Sequence, residues 1–507
     1  MGKGYYSLST PVWTNFGNNR GMPISCFGSH LDDNMGSILH AASEVGIMSK
    51  MGGGTSGYFG NLRPRGAEIT NNGSSSGSVH FVKLFEQMTD TVSQGSSRRG
   101  RFAPYLPIDH KDIDEFLNIG TEGNEIQSVN HAVTVTDDWM VKMIGGDKDK
   151  RAVWAKVLQR RIEMGYPYIF FTDTVNNNKP EWYKEYMINH SNLCAEIALP
   201  NNDEWSFVCN LSSMNALYFD EWKDTDAVET MIYFLDAVMT EFIEKLEAYR
   251  DSEKLEDQLT FKFMERAYNF AVDNRALGLG VLGWHSLLQS KMIPFESIEA
   301  SLLNEQLFKT IRERAEVASE ELAVKFGEPK VTKGTGRRNA TLMAIAPTTS
   351  SAFILGQVSQ SIEPLWSNNY VKDVAKAKVT VQNPYLKQLL KEKGKDTRET
   401  WIDIRNHDGS VQHLDYLTEH EKNVFKTFSE INQYEIINQA SIRQKYIDQS
   451  QSLNVMINPD TSTKDLNALY IYAWEQGIKH FITSTQQTQL NSFTKLIFAL
   501  LVRLNLI

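Results

Sequence analysis

The sequence has 507 residues, with 52 Lys and Arg against 62 Asp and Glu, which gives a formal net charge of −10. This acidic balance argues against nucleic acid as a partner, because binding a phosphate backbone requires clustered Lys and Arg. Three cysteines are too few for a secreted disulfide scaffold, so the expected localisation is cytoplasmic. No apolar run approaches the roughly 18 residues of a membrane span, and none is predicted.

In chain order, Gly- and Ser-rich loops come first, followed by alternating strand-like and helix-like segments. This alternation favours an α/β fold class with a largely parallel sheet. No internal repeat or Pro-rich linker divides the sequence, so we expect one large domain. The predicted loops are 52–60, 71–78 and 93–101, the predicted strands 131–135 and 166–171, and the predicted helices 229–249, 301–327 and 467–477.

The segment SNLCAEIALP, residues 191–200, carries the residues best suited to chemistry. If it is extended, Asn192, Cys194 and Glu196 project from one face. These groups suit a reaction in which sulfur acts on a carbon centre while the carboxylate takes a proton from a neighbouring hydroxyl. The alternative is a strand with a structural, buried cysteine, since free cysteine often behaves as a small hydrophobic residue.

The other two thiols, Cys26 and Cys209, lie far apart in the sequence. A disulfide requires their Cα atoms to approach within about 7 Å, which the sequence alone does not reveal. Two interpretations therefore stay open at this point: two unrelated core thiols, or a redox couple.

Two segments have features of a phosphate site. APTTSSA, 346–352, places hydroxyls and free N–H groups at a predicted helix start, although an ordinary helix cap has the same pattern. SSRRGR, 96–101, is either an arginine clasp or a solvated loop. GGGTSG, 52–57, matches G-x-G-x-x-G but lacks the acidic residue expected about 20 positions later, so a Rossmann fold is rejected. The histidines form no zinc pattern, and no metal site is predicted.

Taken together and in order, seven motifs resemble the large catalytic subunit of class I ribonucleotide reductase. All three cysteines coincide with the three active-site thiols of that family. The resemblance implies a ten-stranded α/β barrel of the ribonucleotide reductase and glycyl radical type over residues 1–484, with a central loop that carries the radical cysteine. The motifs are LSTPVW (8–13), PISC (23–26), GGGTSG (52–57), SQGSSRRG (93–100), SNLCAEIALP (191–200), CNLSSMN (209–215) and LMAIAPTTSSAFILGQVSQSIEP (342–364).

The resemblance also implies a role for each of five residues. Cys194 would form the thiyl radical that abstracts the 3′-hydrogen of the ribose. Glu196 would take the proton of the 3′-hydroxyl, and Asn192 would orient the hydroxyls. Cys26 and Cys209 would supply the reducing equivalents and finish as a disulfide.

Two binding sites are implied as well. One would hold the substrate diphosphate and ribose, and the other a deoxynucleotide or ATP effector that biases substrate choice. The substrate site would comprise Thr10, Ser25, Cys26, Gly52, Asn192, Leu193, Cys194, Ala195, Glu196, Pro347, Thr348, Thr349, Ser350 and Ser351. The effector site would comprise Asp33, Asn34, Arg63, Ser93, Gln94, Gly95, Arg98 and Arg99.

The expected partners follow from the same resemblance. A small, ferritin-like metallo-subunit would supply the radical, so no cofactor is expected in this chain itself. Thioredoxin or glutaredoxin would reduce the disulfide, and a homodimer is expected.

The sequence also departs from the family. Ile482 and Thr483 occupy the places of two adjacent tyrosines that relay the radical, and neither side chain can be oxidised in a relay. We expect the N-terminal ATP-cone and the C-terminal cysteine tail to be missing, and residues 485–507 resemble nothing in the family. Two alternatives stay open. One is an adenosylcobalamin-dependent class II reductase, whose motif resembles N-x-C-G-E. The other is a truncated or split, inactive nucleotide-binding fragment.

Overall fold

The computed structural model describes residues 2–19, 21–24, 26–92, 100–356, 358–374, 377–458 and 461–485. The strands within these ranges are β1 (Tyr6–Leu8), β2 (Cys26–Ser29), β3 (Gly54–Tyr58), β4 (Arg101–Pro107), β5 (Ala132–Val135), β6 (Tyr168–Phe171), β7 (Phe207–Asn215), β8 (Leu277–Leu282), β9 (Asn369–Val374), β10 (Ala377–Gln382), β11 (Asn454–Ile457) and β12 (His480–Thr485).

The α-helices within the same ranges are α1 (Thr10–Asn15), α2 (Met35–Lys50), α3 (Ser78–Thr91), α4 (Ile113–Phe116), α5 (Asp137–Ile144), α6 (Lys148–Met164), α7 (Thr172–Asn177), α8 (Phe219–Trp222), α9 (Ala227–Arg250), α10 (Leu255–Asn274), α11 (Trp284–Ser290), α12 (Ile298–Phe326), α13 (Thr349–Ile354), α14 (Pro384–Glu392), α15 (Arg398–Asn406), α16 (Glu419–Val424), α17 (Gln433–Gln444) and α18 (Thr463–Glu475). None of them combines the length and apolar character needed to cross a bilayer.

The long predicted helices are confirmed as α9, α12 and α18. Helix α12 shows how the local sequence sets its limits: the Ser297 side chain accepts a hydrogen bond from the N–H of Ala300 at the start. At the end, Gly327 adopts a φ of +84°, which a residue with a side chain rarely does. The predicted strands at 131–135 and 166–171 correspond to β5 and β6.

Ten strands form one sheet in the order β1-β7-β2-β3-β4-β5-β6-β12-β11, with β8 paired to β7. Neighbours from β2 through β6 are parallel, as are the pairs β7–β8 and β11–β12. Three pairings are antiparallel: β1–β7, β2–β7 and β12–β6. The predicted α/β fold with a largely parallel sheet is therefore confirmed, and antiparallel contacts join its parallel runs.

The connection between β6 and β7 carries Cys194 and packs against the strands. Leu193 and Ala198, on this connection, share a hydrophobic cluster with Tyr105 of β4, Ala132 of β5 and Phe170 of β6. The hydroxyl of Tyr105 also donates a hydrogen bond to the carbonyl oxygen of Asn192 (2.8 Å). The strands thus fix the position of the cysteine-bearing loop, as expected for a central loop.

A smaller unit lies beyond the main sheet. The antiparallel hairpin β9–β10 leads into helices α14 to α16. These helices have a hydrophobic core of their own, which includes Leu386, Leu390, Trp401, Ile404 and Val424.

Candidate active site

The backbone around Cys194 is a tight turn, and the extended conformation considered for residues 191–200 is wrong. The N–H of Ala195 donates to the carbonyl of Asn192 (3.3 Å), and Ala195 has a φ of +62°. The Asn192 side-chain oxygen then accepts from the N–H groups of Glu196 (3.1 Å) and Ile197 (3.3 Å). An asparagine that satisfies the following backbone groups favours a turn over a strand, which alternation alone does not predict.

Despite the turn, the predicted chemical groups converge. The Asn192 Nδ2 donates to the Sγ of Cys26 (3.5 Å), and the same thiol lies 4.0 Å from Glu196 Oε1. Cys26, Cys194 and Glu196 line one cavity. Two thiols and a carboxylate therefore surround a common space, and the Asn192 amide contacts one of those thiols.

Cys26 and Cys209 face each other across neighbouring strands. Cys26 begins β2, Cys209 lies on β7, and the two residues are directly paired in the antiparallel register. Cα atoms of such pairs are about 4.5–5.5 Å apart, which lies within the range of about 4.4–6.8 Å that disulfides require. The two strands thus place the pair at a separation that a disulfide can bridge with little movement.

The Glu196 carboxyl is buried, with 1% of the residue exposed. Its Oε2 atom has no hydrogen-bond partner among the described residues. Burial raises the pKa of this carboxyl from 4.5 to about 7, because the charged form loses its hydration. A carboxyl group with a free oxygen and a pKa near neutrality can both take up and release a proton under physiological conditions.

Gln449 is a contact of the site that the sequence analysis missed. Its Nε2 lies 3.2 Å from Cys209 Sγ and 3.0 Å from the carbonyl of Leu277, and its Oε1 accepts from the N–H of Ala198. Gln449 therefore links the cysteine-bearing connection to β7 and β8. Burial also raises the pKa of the Cys209 thiol, which keeps the sulfur protonated at neutral pH. The local sequence DQSQSLN, residues 448–454, contains no feature that indicates this position.

The cavity has a volume of about 210 Å³. One side holds Cys26, Cys194 and Glu196, and another is formed by the predicted Thr- and Ser-rich segment. The sequence analysis missed several members of its wall, including Ser212 and Ser213 of β7, which follow Cys209 in the CNLSSMN motif. The complete wall is Ser9, Thr10, Pro11, Cys26, Cys194, Glu196, Leu211, Ser212, Ser213, Ala346, Pro347, Thr348, Thr349, Ser350 and Ser351.

The segment from Pro347 to Ser351 leads into the short helix α13. The Thr348 side chain accepts from the N–H of Ser361 (2.8 Å), and the Ser351 hydroxyl donates to the carbonyl of Leu8 (3.0 Å). Thr348 does not cap the helix through its side chain. The N–H groups of the first turn therefore keep their hydrogen-bonding capacity for other acceptors.

The remaining predicted substrate-site residues have different positions. Gly52 lies in the turn before β3, with a φ of +93°, rather than in the cavity wall. Leu193 and Ala195 are structural parts of the turn: Leu193 packs on the sheet and Ala195 is fully buried. Ser25 lies outside the described residues.

Three of the predicted effector-site residues lie together at the start of α2. The Arg63 Nε donates to Asp33 Oδ2 (2.6 Å), and the Arg63 N–H donates to Asp33 Oδ1 (3.2 Å). Asn34 caps α2 by accepting from the N–H of Ser37 (2.8 Å). Ser93, Gln94, Gly95, Arg98 and Arg99 lie outside the described residues.

Ile482 and Thr483 lie on β12, between β6 and β11 in the sheet. Ile482 is paired with Asn454 of β11 and is 7% exposed. An aliphatic side chain therefore stands at this buried position.

Comparisons with known proteins agree with this arrangement. The sequence profile described as "Ribonucleotide reductase, barrel domain" matches residues 24–150, 142–333 and 330–484. The solved structure of the Actinobacillus ureae class Id ribonucleotide reductase alpha subunit is similar with a TM-score of 0.88 and 52% identity, covering 96% of this chain and 88% of that one.

Curated relatives carry related names. The ribonucleoside-diphosphate reductase large subunit of Invertebrate iridescent virus 3 is 31% identical over 558 aligned positions, which cover 94% of this chain and 85% of the relative. The large subunit from Danio rerio is 29% identical, covering 94% of this chain and 68% of the relative. The chain therefore belongs to the ribonucleotide reductase large-subunit family.

Proposed function

We propose that this chain is the catalytic subunit of a class I ribonucleotide reductase and converts ribonucleoside diphosphates to 2′-deoxyribonucleoside diphosphates. The observation that carries the proposal is the pairing of Cys26 with Cys209 beside a cavity that also contains Cys194 and Glu196. Removal of a hydroxyl group as water requires two electrons and two protons. Two adjacent thiols that become a disulfide supply both.

In the proposed reaction, a thiyl radical on Cys194 takes the 3′-hydrogen of the ribose while Glu196 accepts the proton of the 3′-hydroxyl. The 2′-hydroxyl then leaves as water, and Cys26 and Cys209 lose two hydrogen atoms as their S–S bond forms. The 3′-hydrogen finally returns from Cys194 to carbon, which regenerates the thiyl radical. The raised pKa of Glu196 suits a group that takes and returns one proton.

The substrate diphosphate would bind to the Thr- and Ser-rich side of the cavity. Thr10 and the segment Pro347 to Ser351 offer hydroxyls and the N–H groups of a helix start, which favour an anion. Ser25 and Gly52, which come shortly before the β2 and β3 segments in the sequence, are included in the proposed substrate site. Asn192 would orient the ribose hydroxyls through the turn that also positions Cys194.

A deoxynucleotide or ATP effector would bind near the start of α2. Asp33, Asn34 and Arg63 supply a carboxylate, an amide and a guanidinium within one small region. We include Ser93, Gln94, Gly95, Arg98 and Arg99 in this site because their segment joins α3 to β4. Met35 and Leu39 of α2 are half exposed beside it, which supports a homodimer formed through this helix.

The radical would come from a separate ferritin-like metallo-subunit, as class I alpha subunits imply. The 52% identity to a class Id alpha subunit favours this source over adenosylcobalamin. Thioredoxin or glutaredoxin would reduce the Cys26–Cys209 disulfide, and the cytoplasm is the proposed compartment because it keeps thiols reduced. The 1–484 barrel would carry all of these functions.

The test is reduction of CDP or ADP by the purified chain with dithiothreitol, first with a ferritin-like radical subunit and then with adenosylcobalamin alone. Deoxynucleotide formed only with the subunit is the expected result. Turnover with adenosylcobalamin alone would contradict the class I proposal. No turnover in either case, together with retained deoxynucleotide binding, would contradict catalysis and indicate an inactive nucleotide-binding fragment. This outcome is included because Ile482 stands where the family has a tyrosine of the radical relay.

A further inference from the structure

The side-chain amide of Gln449 is held in one orientation by the groups around it. Its Oε1 accepts a hydrogen bond from the N–H of Ala198 (3.2 Å), so its NH2 group is directed toward β7 and β8. Lys479 Nζ donates to the main-chain carbonyl of Gln449 (2.7 Å), and the Gln449 N–H donates to the carbonyl of Met343 (3.2 Å). Both Gln449 and Lys479 are buried. The amide is therefore a donor with a fixed position.

The NH2 group of Gln449 has more acceptors than protons. Its nitrogen lies 3.0 Å from the carbonyl oxygen of Leu277, 3.0 Å from the hydroxyl oxygen of Thr341 and 3.2 Å from Cys209 Sγ. An amide of this kind carries two N–H bonds. The Thr341 hydroxyl also donates to the Leu277 carbonyl (3.0 Å), so this backbone acceptor keeps a partner when an amide proton turns toward the sulfur. One N–H of Gln449 is therefore available to Cys209.

The two sulfur atoms of the cysteine pair differ in access. Cys26 is partly exposed and belongs to the wall of the cavity, whereas Cys209 is 1% exposed and is not one of the described residues that form this wall. The amide that contacts the Cys26 sulfur belongs to Asn192 and lies farther away, at 3.5 Å. A thiol that enters the cavity thus reaches Cys26 first, and Cys209 lies deeper, beside the Gln449 donor.

Negative charge on the Cys209 sulfur requires a donor at this position. Burial raises the pKa of the Cys209 thiol, and the carboxylates of Glu196 and Asp448 add to this effect. The Gln449 hydrogen bond acts in the opposite direction. A neutral thiol is a weak acceptor, whereas hydrogen bonds to an ionised acceptor are about twice as strong as those between neutral groups. The amide therefore stabilises Cys209 most when its sulfur is charged.

We propose that Gln449 stabilises the Cys209 thiolate during reduction of the Cys26–Cys209 disulfide and thereby directs the reducing thiol to Cys26. This inference rests on the proposed function, in which the two cysteines form a redox pair. One thiolate of an external dithiol forms a bond to Cys26 Sγ while the Cys26–Cys209 bond breaks. The electron pair of that bond leaves on Cys209 Sγ, which becomes a thiolate and accepts a hydrogen bond from the Gln449 amide.

The remaining steps return both cysteines to thiols. The second thiol of the dithiol gives its proton to the Cys209 thiolate and attacks its own mixed disulfide with Cys26. Cys26 leaves as a thiolate and takes up the proton that the first thiol of the dithiol had lost. The dithiol is thus oxidised by two electrons to a cyclic disulfide, and the cysteine pair is reduced by the same two electrons.

The first experiment requires no substitution. The full chain is oxidised with diamide, separated from the oxidant and mixed with glutathione, a monothiol that forms the mixed disulfide. Samples taken at early times are quenched in acid, unfolded and alkylated, and peptide mass spectrometry locates the glutathione. We expect at least about tenfold more glutathione on Cys26 than on Cys209. An equal distribution, or an excess on Cys209, overturns the proposal.

The second experiment tests the donor itself. Gln449→Met keeps a side chain of similar length but removes the N–H groups. Gln439→Met is the matched control, because Gln439 is also buried and its amide bonds to Trp284 and Phe295. Reduction of the disulfide by dithiothreitol should be about tenfold slower in Gln449→Met and within about twofold of wild type in Gln439→Met. The excess of glutathione on Cys26 should also decrease in Gln449→Met.

A wild-type rate and a wild-type distribution of glutathione in Gln449→Met overturn the proposal. If Gln449→Met does not fold, Gln449→Asn takes its place with the same expected results. Asparagine keeps an amide but is one methylene shorter, so its N–H groups are withdrawn from the Cys209 sulfur.

Turnover with the radical subunit separates this inference from the proposed function. If the wild-type chain reduces CDP but Gln449→Met opens the disulfide at the wild-type rate, the role of Gln449 is wrong and the function stands. If opening of the disulfide depends on Gln449 but no deoxynucleotide forms, the role is correct and the proposed function is wrong. Failure of Cys26 and Cys209 to form a disulfide on oxidation overturns both.

Discussion

The paired cysteines and the single cysteine of the site are held by different kinds of backbone. Cys26 and Cys209 lie on β2 and β7, where the register of a sheet fixes their separation. Cys194 lies in a turn whose next residue, Ala195, has a φ of +62°. The first arrangement sets a distance between two sulfurs, and the second directs one sulfur into the cavity.

This difference fits the role proposed for each thiol. Two thiols that form a disulfide must approach each other with little change in backbone, and neighbouring strands meet that requirement at low cost. A single sulfur that acts on a substrate needs to lie at the end of a projecting loop with its neighbours supplying the acid–base group. Asn192 serves both arrangements, because its Nδ2 contacts Cys26 while its Oδ1 holds the turn.

The largest expected effect comes from the turn-held cysteine. Cys194→Ser should lower CDP reduction by at least about a thousandfold, because it removes the group proposed to initiate the reaction. Effector binding should be unchanged, since Asp33 and Arg63 lie on other elements. The measurement combines a turnover assay with deoxynucleotide binding by calorimetry. Retained deoxynucleotide formation in Cys194→Ser would show that the turn does not carry the radical.

The strand-held pair, Cys26 and Cys209, should respond to oxidation differently from Cys194. Mild oxidation with diamide should reduce the number of titratable thiols from three to one, with Cys26 and Cys209 in one disulfide-linked peptide. After the same oxidation, Cys209→Ser should keep both of its remaining thiols reduced. Its rate of CDP reduction over multiple turnovers should be at least about a hundredfold lower than that of the wild-type chain. Thiol titration and peptide mapping measure the pairing. A disulfide that includes Cys194 would contradict the proposal that the strand-held cysteines form the redox pair and that Cys194 acts alone.

The contrast between the strand-held and the turn-held cysteines also shows which parts of the fold and the site can be predicted from the sequence. The periodicity of α9 and α12 and the motif order gave the fold and the three cysteines, because both depend on local residue patterns. The family resemblance implied the pairing of Cys26 with Cys209, but the residues alone left it open, because it depends on strand register between distant segments. The turn at Ala195 was missed because the alternating side chains of this segment also fit a β-strand. The Asn192 side chain favours the turn, since it accepts hydrogen bonds from the N–H groups of Glu196 and Ile197. Gln449 enters the site only through tertiary packing.

The carboxylate beside the turn gives the site a predicted pH dependence. Glu196 must be ionised to accept a proton, and burial raises its pKa to about 7. The kcat/KM for CDP should therefore fall about tenfold per pH unit below about 7 and level off above it. Glu196→Gln should lower the rate by about a hundredfold or more and lose this acidic limb. An unchanged acidic limb in Glu196→Gln would assign the titration to another group.

Stability provides a second measurement of the same carboxyl. Its pKa is higher in the folded chain than the ordinary 4.5, so the fold favours the protonated form. Relative to Glu196→Gln, the wild-type chain should be most stable at acidic pH and lose stability as the pH rises from about 4.5 to about 7. Urea unfolding of both proteins across this range tests the sign, and a gain in relative stability with rising pH would contradict it.

The smallest effect should come from the backbone of the turn itself. Ala195 and Ala198 are both buried, but only Ala195 has a positive φ. Valine adds the same two methyl groups at either position, so Ala198→Val measures the cost of crowding alone. Ala195→Val should be less stable than Ala198→Val by about 1–2 kcal/mol in urea unfolding, because a β-branched residue is strained in the left-handed region.

Glycine at position 195 tests the same backbone conformation without a side chain. Ala195→Gly removes the strain but adds freedom to the unfolded chain, so its stability should stay within about 1 kcal/mol of wild type. Turnover should respond more strongly than stability in Ala195→Val, since a displacement of the sulfur by about 1 Å can lower a rate a hundredfold. Equal stability of the two valine variants would show that the turn relaxes freely and that the strands alone set the position of Cys194.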